Sequence, residues 1–153
     1  MQGFASKKLN VVIQVLLASL MVLAAVLTAT LWWSIPDVTQ RFPGEADGMF
    51  EKYFVVLTVS GCMAELILWQ ALQVMRNIQR GQAFSQNTVR RLNVVGWECL
   101  VLATFYFVMT FFLHKFFMVV VFVAFGILGM LLFVLAQLFR EAFLYKSEND
   151  MTI

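Results

Sequence analysis

Apolar residues fill four long stretches of this chain, and polar residues gather in the segments between them. The stretches cover residues 9–33, 53–75, 92–113 and 116–139. Each is longer than the roughly 20 residues that a helix needs to cross about 30 Å of hydrocarbon. The short alternating segments of about 10 residues that are typical of a membrane β-barrel are absent. The pattern therefore predicts an all-α integral membrane protein, a four-helix bundle that forms one membrane domain over residues 1–153.

Composition supports this prediction. Of the 153 residues, 61% are hydrophobic and only 13% are charged, whereas a soluble domain carries about 25% charged residues. The formal net charge is only +2, so the placement of the charges is more informative than their sum. We expect an outer loop over residues 34–52, a cytoplasmic loop over residues 76–91 and a cytoplasmic tail over residues 140–153.

The placement of lysine and arginine predicts the orientation of the bundle. Positively charged loops stay in the cytoplasm, and one side of the predicted bundle carries most of these residues. We therefore expect both termini to be cytoplasmic. That side holds Lys7, Lys8, Arg76, Arg80, Arg90, Arg91, Arg140 and Lys146, and the other side holds Arg41, Lys52 and Lys115.

Two acids interrupt the apolar stretches, Glu65 in the second and Glu98 in the third. An ionisable residue in the bilayer costs roughly 2.5–3.5 kcal/mol on insertion scales and should face the bundle interior. A rise of 1.5 Å per residue places Glu65 at about mid-bilayer, near the levels of Ser19 and Thr104. Glu98 is predicted to lie roughly 6 Å closer to the cytoplasm, level with Gln14. We expect these five residues to form a buried polar seam.

Two roles for the seam stay open at this stage. Glu65 and Glu98 could form a proton or cation site, since burial disfavours a charged carboxylate. Alternatively, a protonated acid could be hydrogen-bonded across helices, which would stabilise packing by about 0.6–2 kcal/mol. In the packing interpretation, Glu65→Gln is tolerated and Glu65→Lys impairs insertion or folding.

Cysteine and histidine do not indicate a metal or a cofactor. Cys62 and Cys99 lie near the two glutamates, but Cys99 and Glu98 point about 100° apart on one helix. The two thiols and two carboxylates are therefore not expected to bind a metal. His114 directly follows the third stretch, where we interpret it as an interfacial anchor and not as a haem ligand.

The segment over residues 76–91 combines helix-end signals with a basic face. Gly81 is a plausible helix end, Ser85 a plausible N-cap, and Phe84 with Val89 a hydrophobic staple. The basic face could contact anionic lipid head groups, at about 1 kcal/mol per residue, or dock an acidic partner or the chain's own tail. Direct nucleic-acid binding is not expected, because four arginines without a recognition fold make too small a footprint. The four are Arg76, Arg80, Arg90 and Arg91.

Two segments of the chain read GCMAELILWQALQVMRNIQRGQAFSQNTVRRLNVVG and LAQLFREAFLYKSENDMTI. They resemble a known bacterial membrane family, that of domain of unknown function 2975. The resemblance implies a four-span protein of the bacterial inner (cytoplasmic) membrane and no known activity. Members are often encoded beside a small helix-turn-helix regulator, which suggests such a partner by association. The matching residues are Gly81, Phe84, Asn87, Arg91 and Leu92, and Glu148, Asn149, Asp150, Met151, Thr152 and Ile153.

Function is predicted less sharply than fold. No nucleophile motif, phosphate-binding glycine loop or metalloprotease signature occurs in the sequence, so we do not expect an enzyme. The favoured interpretation is a regulatory or interaction protein that acts through the basic loop and an acidic tail containing Glu148 and Asp150. The tail would continue the fourth helix, since Phe139 and Phe143 recur at helical spacing. The alternative is a small transporter or channel subunit that uses Glu65 and Glu98 and would need to form homo-oligomers.

Overall fold

Four long helices make up the computed structural model of the chain. Helix α1 covers Gln2–Arg41, α2 covers Met49–Gln79, α3 covers Gln86–Leu113 and α4 covers Phe116–Met151. The backbone is described for residues 2–41, 49–80 and 85–151, and the side chains for residues 8–34, 52–80 and 85–149. No strand occurs among those residues. The predicted all-α four-helix membrane bundle is therefore confirmed.

Every helix contains a segment that is long and apolar enough to cross a membrane. These segments are Lys8–Ser34, Lys52–Gln79, Gln86–Leu113 and Phe116–Asn149, and the shortest has 27 residues. Many large apolar side chains on them point outward, among them Leu16 and Leu23 of α1. Helices that are apolar around most of their circumference suit a lipid environment. The chain is thus a multi-pass membrane protein.

The helices pack in chain order. Helix α1 lies against α2, α2 against α3 and α3 against α4, and no other pair of helices brings Cα atoms within 8 Å in the described residues. Neighbours are antiparallel, since Gln14 pairs with Gln79 at one end of α1 and α2 while Trp32 packs on Phe54 at the other. The N-terminal part of α1, the α2–α3 connection and the C-terminal part of α4 therefore share one end of the bundle, which we call the termini end.

A tight turn at His114 joins α3 to α4. His114 is the C-cap of α3 in the left-handed conformation, with φ 48° and ψ 36°, and its backbone N–H donates to the carbonyl of Thr110 at 2.9 Å. This bond satisfies one of the carbonyls left free at a helix end. Because Phe116 already begins α4, the two helices form a close antiparallel hairpin. From the sequence we interpreted His114 as an interfacial anchor, and we did not predict that its backbone forms the C-cap of α3.

Glycines set the distances between helices. A β-carbon on Gly129 of α4 would lie 3.1 Å from the carbonyl oxygen of Gly96 on α3, and one on Gly61 of α2 would meet the Thr28 side chain of α1. Such small residues let membrane helices approach closely. A β-carbon on Gly126 of α4, by contrast, would have no neighbour within 4 Å. It lies three residues before Gly129, about 60° around the helix, where a side chain would meet open space.

The start of α3 follows the prediction made from the sequence. The Ser85 hydroxyl accepts a hydrogen bond from the Thr88 N–H at 3.2 Å, which confirms Ser85 as the N-cap. The predicted helix end at Gly81 and the staple residue Phe84 lie outside the described residues.

Candidate functional site

Glu65 lies on the side of α2 that faces α1. It follows Gly61, which abuts Thr28 of α1, by four residues, or about 40° around the helix. Ser60, which faces α3 through its bond to Tyr106, is about 140° away from Glu65. The Oε1 atom of Glu65 is buried and has no hydrogen-bond partner. One oxygen of the half-buried carboxyl group is therefore removed from solvent without a polar contact.

Glu98 belongs to a different interface. It lies two turns beyond Arg91 on the same face of α3, and Arg91 reaches α2 by donating to Gln70 at 2.8 Å. The Oε2 atom of Glu98 is also buried without a hydrogen-bond partner. Counted from the Ser60–Tyr106 bond, Glu65 and Glu98 differ in height by only about 4 to 5 Å. They nevertheless point to different neighbours, so the structure does not form a two-carboxylate site from them.

The other predicted seam residues do not join the two acids. Ser19 and Thr104 are exposed, and their hydroxyls donate to carbonyls of their own helices, to Leu16 at 2.8 Å and Leu100 at 2.9 Å. Such bonds satisfy a hydroxyl without a second helix. Helices α1 and α3, which carry these two residues, also do not pack on each other within the described residues. A single seam across the three helices that carry these residues is therefore not formed.

Gln14 does bridge two helices, but at a different place from the one expected. Its Oε1 accepts a hydrogen bond from Nε2 of Gln79 at 2.9 Å, in an exposed position at the termini end. Gln14 was predicted to lie level with Glu98. Its partner Gln79 instead lies fourteen residues after Glu65 on α2, toward the termini end. Gln14 therefore links α1 to α2 at the termini end of the bundle.

Polar contacts between α2 and α3 were not predicted from the sequence. The hydroxyls of Ser60 and Tyr106 are 2.7 Å apart, and Asn77 Nδ2 donates to Thr88 Oγ1 at 3.4 Å. Gln70 and Asn77 of α2 are seven residues apart and lie on one helical face, and Ser60 lies about 80° around the helix from Gln70. That spacing was the available signal, because polar residues along one face of an apolar helix indicate the side that packs against a neighbour.

The four arginines of the predicted basic face divide into separate environments. Arg76 and Arg80 are exposed at the end of α2. Arg91 is half-buried, donates to Gln70, and has a buried Nε without a partner. Arg90 lines an open groove between α3 and α4, of about 820 Å³, which we call the α3–α4 groove. The arginine on its other side is Arg140 of α4, which was not among the predicted interaction residues.

The acidic tail is a continuation of α4. Glu148 is exposed and lies with Glu141, Leu144 and Tyr145 around a shallow depression on this extension. Helix α4 continues to Met151, as expected from the apolar spacing before it. The side chain of Asp150 lies outside the described residues.

The cysteines do not come together. Cys62 is exposed on α2, Cys99 is fully buried on α3, and both are free thiols. Among the described residues, no group of three or more His, Cys, Asp or Glu side chains is arranged to hold a metal ion.

Comparison with known proteins places the chain in a family. No curated protein and no solved structure matches it. A family model described as "Protein of unknown function (DUF2975)" matches residues 43–153, which is more than half of the chain and includes α2, α3 and α4. This match confirms the resemblance seen in the α2–α3 segment and in the tail. The chain belongs to the DUF2975 family of proteins of unknown function.

Proposed function

We propose that this chain is a regulatory or interaction protein of the bacterial inner membrane, which holds a partner protein at its termini end. Both termini would be cytoplasmic, as the lysine and arginine distribution favours. We propose no catalytic reaction and no cofactor for it. The partner suggested by family association is a small helix-turn-helix regulator, so the chain itself would not contact nucleic acid.

The observation that carries this proposal is the length of α4 beyond its apolar segment. Residues 116–139 are uncharged and already exceed the roughly 20 residues needed to span a bilayer. The helix continues from Arg140 to Met151, which adds about 18 Å. Its exposed side chains include Glu141, Tyr145 and Glu148. An ordered helix with an exposed aromatic residue between acids offers a partner a defined surface.

Exposed arginines at the same end support the proposal. Arg76 lies in the last turn of α2, Arg80 follows the helix directly, and both side chains are exposed. Exposed charged side chains are available for a partner, and charge-assisted hydrogen bonds from arginine are stronger than neutral ones. The surface proposed for the partner therefore combines a basic part on α2 with an acidic part on α4.

Co-purification in a mild detergent tests the proposal. The full chain should retain a DNA-binding regulator, and deletion of Glu148–Ile153 or the double variant Arg76→Gln/Arg80→Gln should lower its recovery without changing helix content by circular dichroism. The matched control is Lys52→Gln/Lys115→Gln, which removes two positive charges from the opposite end. If the truncated and full chains capture the same proteins with the same salt dependence, the tail is a passive end and the proposal fails.

A second function is supported by a separate observation. The unpartnered buried oxygens of Glu65 and Glu98 are polar atoms inside membrane-spanning segments, where such groups often mark ion pathways. A small transporter subunit would use them one after the other, since they lie at different interfaces. In proteoliposomes, this function requires a pH-dependent ion flux that Glu65→Gln abolishes. Absence of that flux in the wild-type chain rejects it.

A further inference from the structure

Arg90 and Arg140 lie at the same height on neighbouring helices. The rings of Trp97 and Phe133 pack edge to face across α3 and α4, with centroids 5.5 Å apart. Arg90 precedes Trp97 by seven residues and Arg140 follows Phe133 by seven. Because the helices are antiparallel and seven residues make about two turns, both arginines lie on the same faces as the ring pair, about 10 Å from it. Both line the α3–α4 groove.

The α3–α4 groove contains no acid to balance the two arginines. Its lining consists of apolar, aromatic and amide side chains besides Arg90 and Arg140, and neither arginine enters a hydrogen bond or ion pair in the described part of the chain. Two like charges that face one groove repel each other, so an anion bound between them would be favoured. Guanidinium groups match the geometry of phosphate oxygens closely.

Apolar and polar side chains line the groove on both sides of the two arginines. Val94 and Trp97 line it with Asn93 on the side of the bilayer centre, and Gln86, Asn87, Phe143 and Leu144 line the side of the termini end. Tryptophan is enriched where a membrane meets water. A ligand that fits two arginines beside the apolar surface of Val94 and Trp97 is an amphiphile with an anionic head and an apolar chain.

We propose that the α3–α4 groove binds an anionic phospholipid of the adjacent leaflet. Its phosphate lies between Arg90 and Arg140, and the first part of an acyl chain runs along Val94 and Trp97. This assignment goes beyond the partner-binding proposal, which uses Arg76, Arg80 and the acidic side of α4. It also separates Arg90 from the other arginines of the α2–α3 segment.

Fluorescence quenching of Trp97 by brominated lipids tests the site. In a variant with Trp32, Trp33 and Trp69 replaced by phenylalanine, Trp97 is the remaining tryptophan. The protein is placed in phosphatidylcholine vesicles with a small fraction of brominated phosphatidylglycerol or brominated phosphatidylcholine. We expect brominated phosphatidylglycerol to associate at least about fivefold more tightly, and Arg90→Gln and Arg140→Gln each to reduce the preference about fivefold.

Matched variants separate a phospholipid site from general charge attraction and from a displaced Trp97. The double variant Arg76→Gln/Arg80→Gln removes two exposed arginines at the same end and should leave the preference unchanged. Quenching by brominated phosphatidylcholine should be equal in all variants, which shows that Trp97 keeps its position. Equal quenching by both lipids, or an equal loss of preference in the Arg76/Arg80 control, would overturn the proposal. Displacement of the lipid by inorganic phosphate would show a general anion site and overturn the assignment to phospholipid.

Discussion

Gly129 of α4 lies directly against the carbonyl oxygen of Gly96 of α3, and a β-carbon on Gly129 would approach that oxygen to 3.1 Å. This contact holds the α3–α4 hairpin together at the middle of its length. Backbone atoms cannot move aside as the end of a flexible side chain can. The separation of α3 and α4 therefore depends on the absence of a side chain at Gly129.

Alanine substitution at two glycines of α4 tests this dependence. Gly129→Ala should lower the free energy of unfolding in mixed micelles by about 1–3 kcal/mol through overpacking. Gly126→Ala is the matched control, because a β-carbon there has no neighbour within 4 Å. It should be neutral or stabilise by up to about 1 kcal/mol, since alanine favours helix over glycine. Equal effects at both positions would show that α3 and α4 do not pack through Gly129.

The left-handed conformation of His114 gives a second prediction. His114→Gly should raise the free energy of unfolding by up to about 1 kcal/mol, because glycine adopts positive φ without steric cost. His114→Val should lower it by about 1–2 kcal/mol, since a β-branched residue is strained there. Lys115→Gly is the control and should not stabilise, because His114 is the non-glycine residue with positive φ among those described. A loss of stability in His114→Gly would indicate that its imidazole, not its backbone, matters.

The Ser60–Tyr106 hydrogen bond gives a third prediction. A double-mutant cycle of Ser60→Ala and Tyr106→Phe should yield a coupling free energy of about 0.6–1.7 kcal/mol, the range found for polar contacts between membrane helices. A second cycle that pairs Ser60→Ala with Tyr145→Phe should yield a coupling near zero, because Tyr145 is exposed on the α4 extension. If the two cycles gave the same coupling, the Ser60–Tyr106 hydrogen bond would be absent from the folded protein.

Glu65 gives a fourth prediction, which follows from its unpartnered Oε1 atom. Glu65→Leu should leave the free energy of unfolding unchanged or raise it by about 1–3 kcal/mol, because it removes a buried polar atom that has no hydrogen bond. Glu65→Gln should be tolerated, whereas Glu65→Lys should impair insertion. Glu141→Leu, on the exposed extension of α4, is the control and should have little effect. A strong loss of stability in Glu65→Leu would mean that the carboxyl group makes a polar contact in the membrane.

The number of helices and one helix start could be predicted from the sequence, and the packing of the helices could not. The apolar stretches were long enough to require spanning helices, and Ser85 carried a recognisable N-cap signal. The helices are apolar on nearly all sides, however, so no stripe indicated which face of α1 or α4 meets a neighbour. Ser19 and Thr104 were therefore assigned to the seam from their depth alone. Depth does not show whether a hydroxyl bonds to its own helix or to a neighbouring one.

Photo-crosslinking in living cells tests the central claim, that the termini end holds a cytoplasmic partner. A photoreactive residue is placed at Tyr145, on the exposed face of the α4 extension, or at Phe117, which is exposed at the opposite end. We predict a discrete protein adduct from position 145 that weakens when Arg76 and Arg80 are replaced by glutamine, and none of that size from position 117. The same adducts from both positions, or no protein adduct from position 145, would contradict the claim.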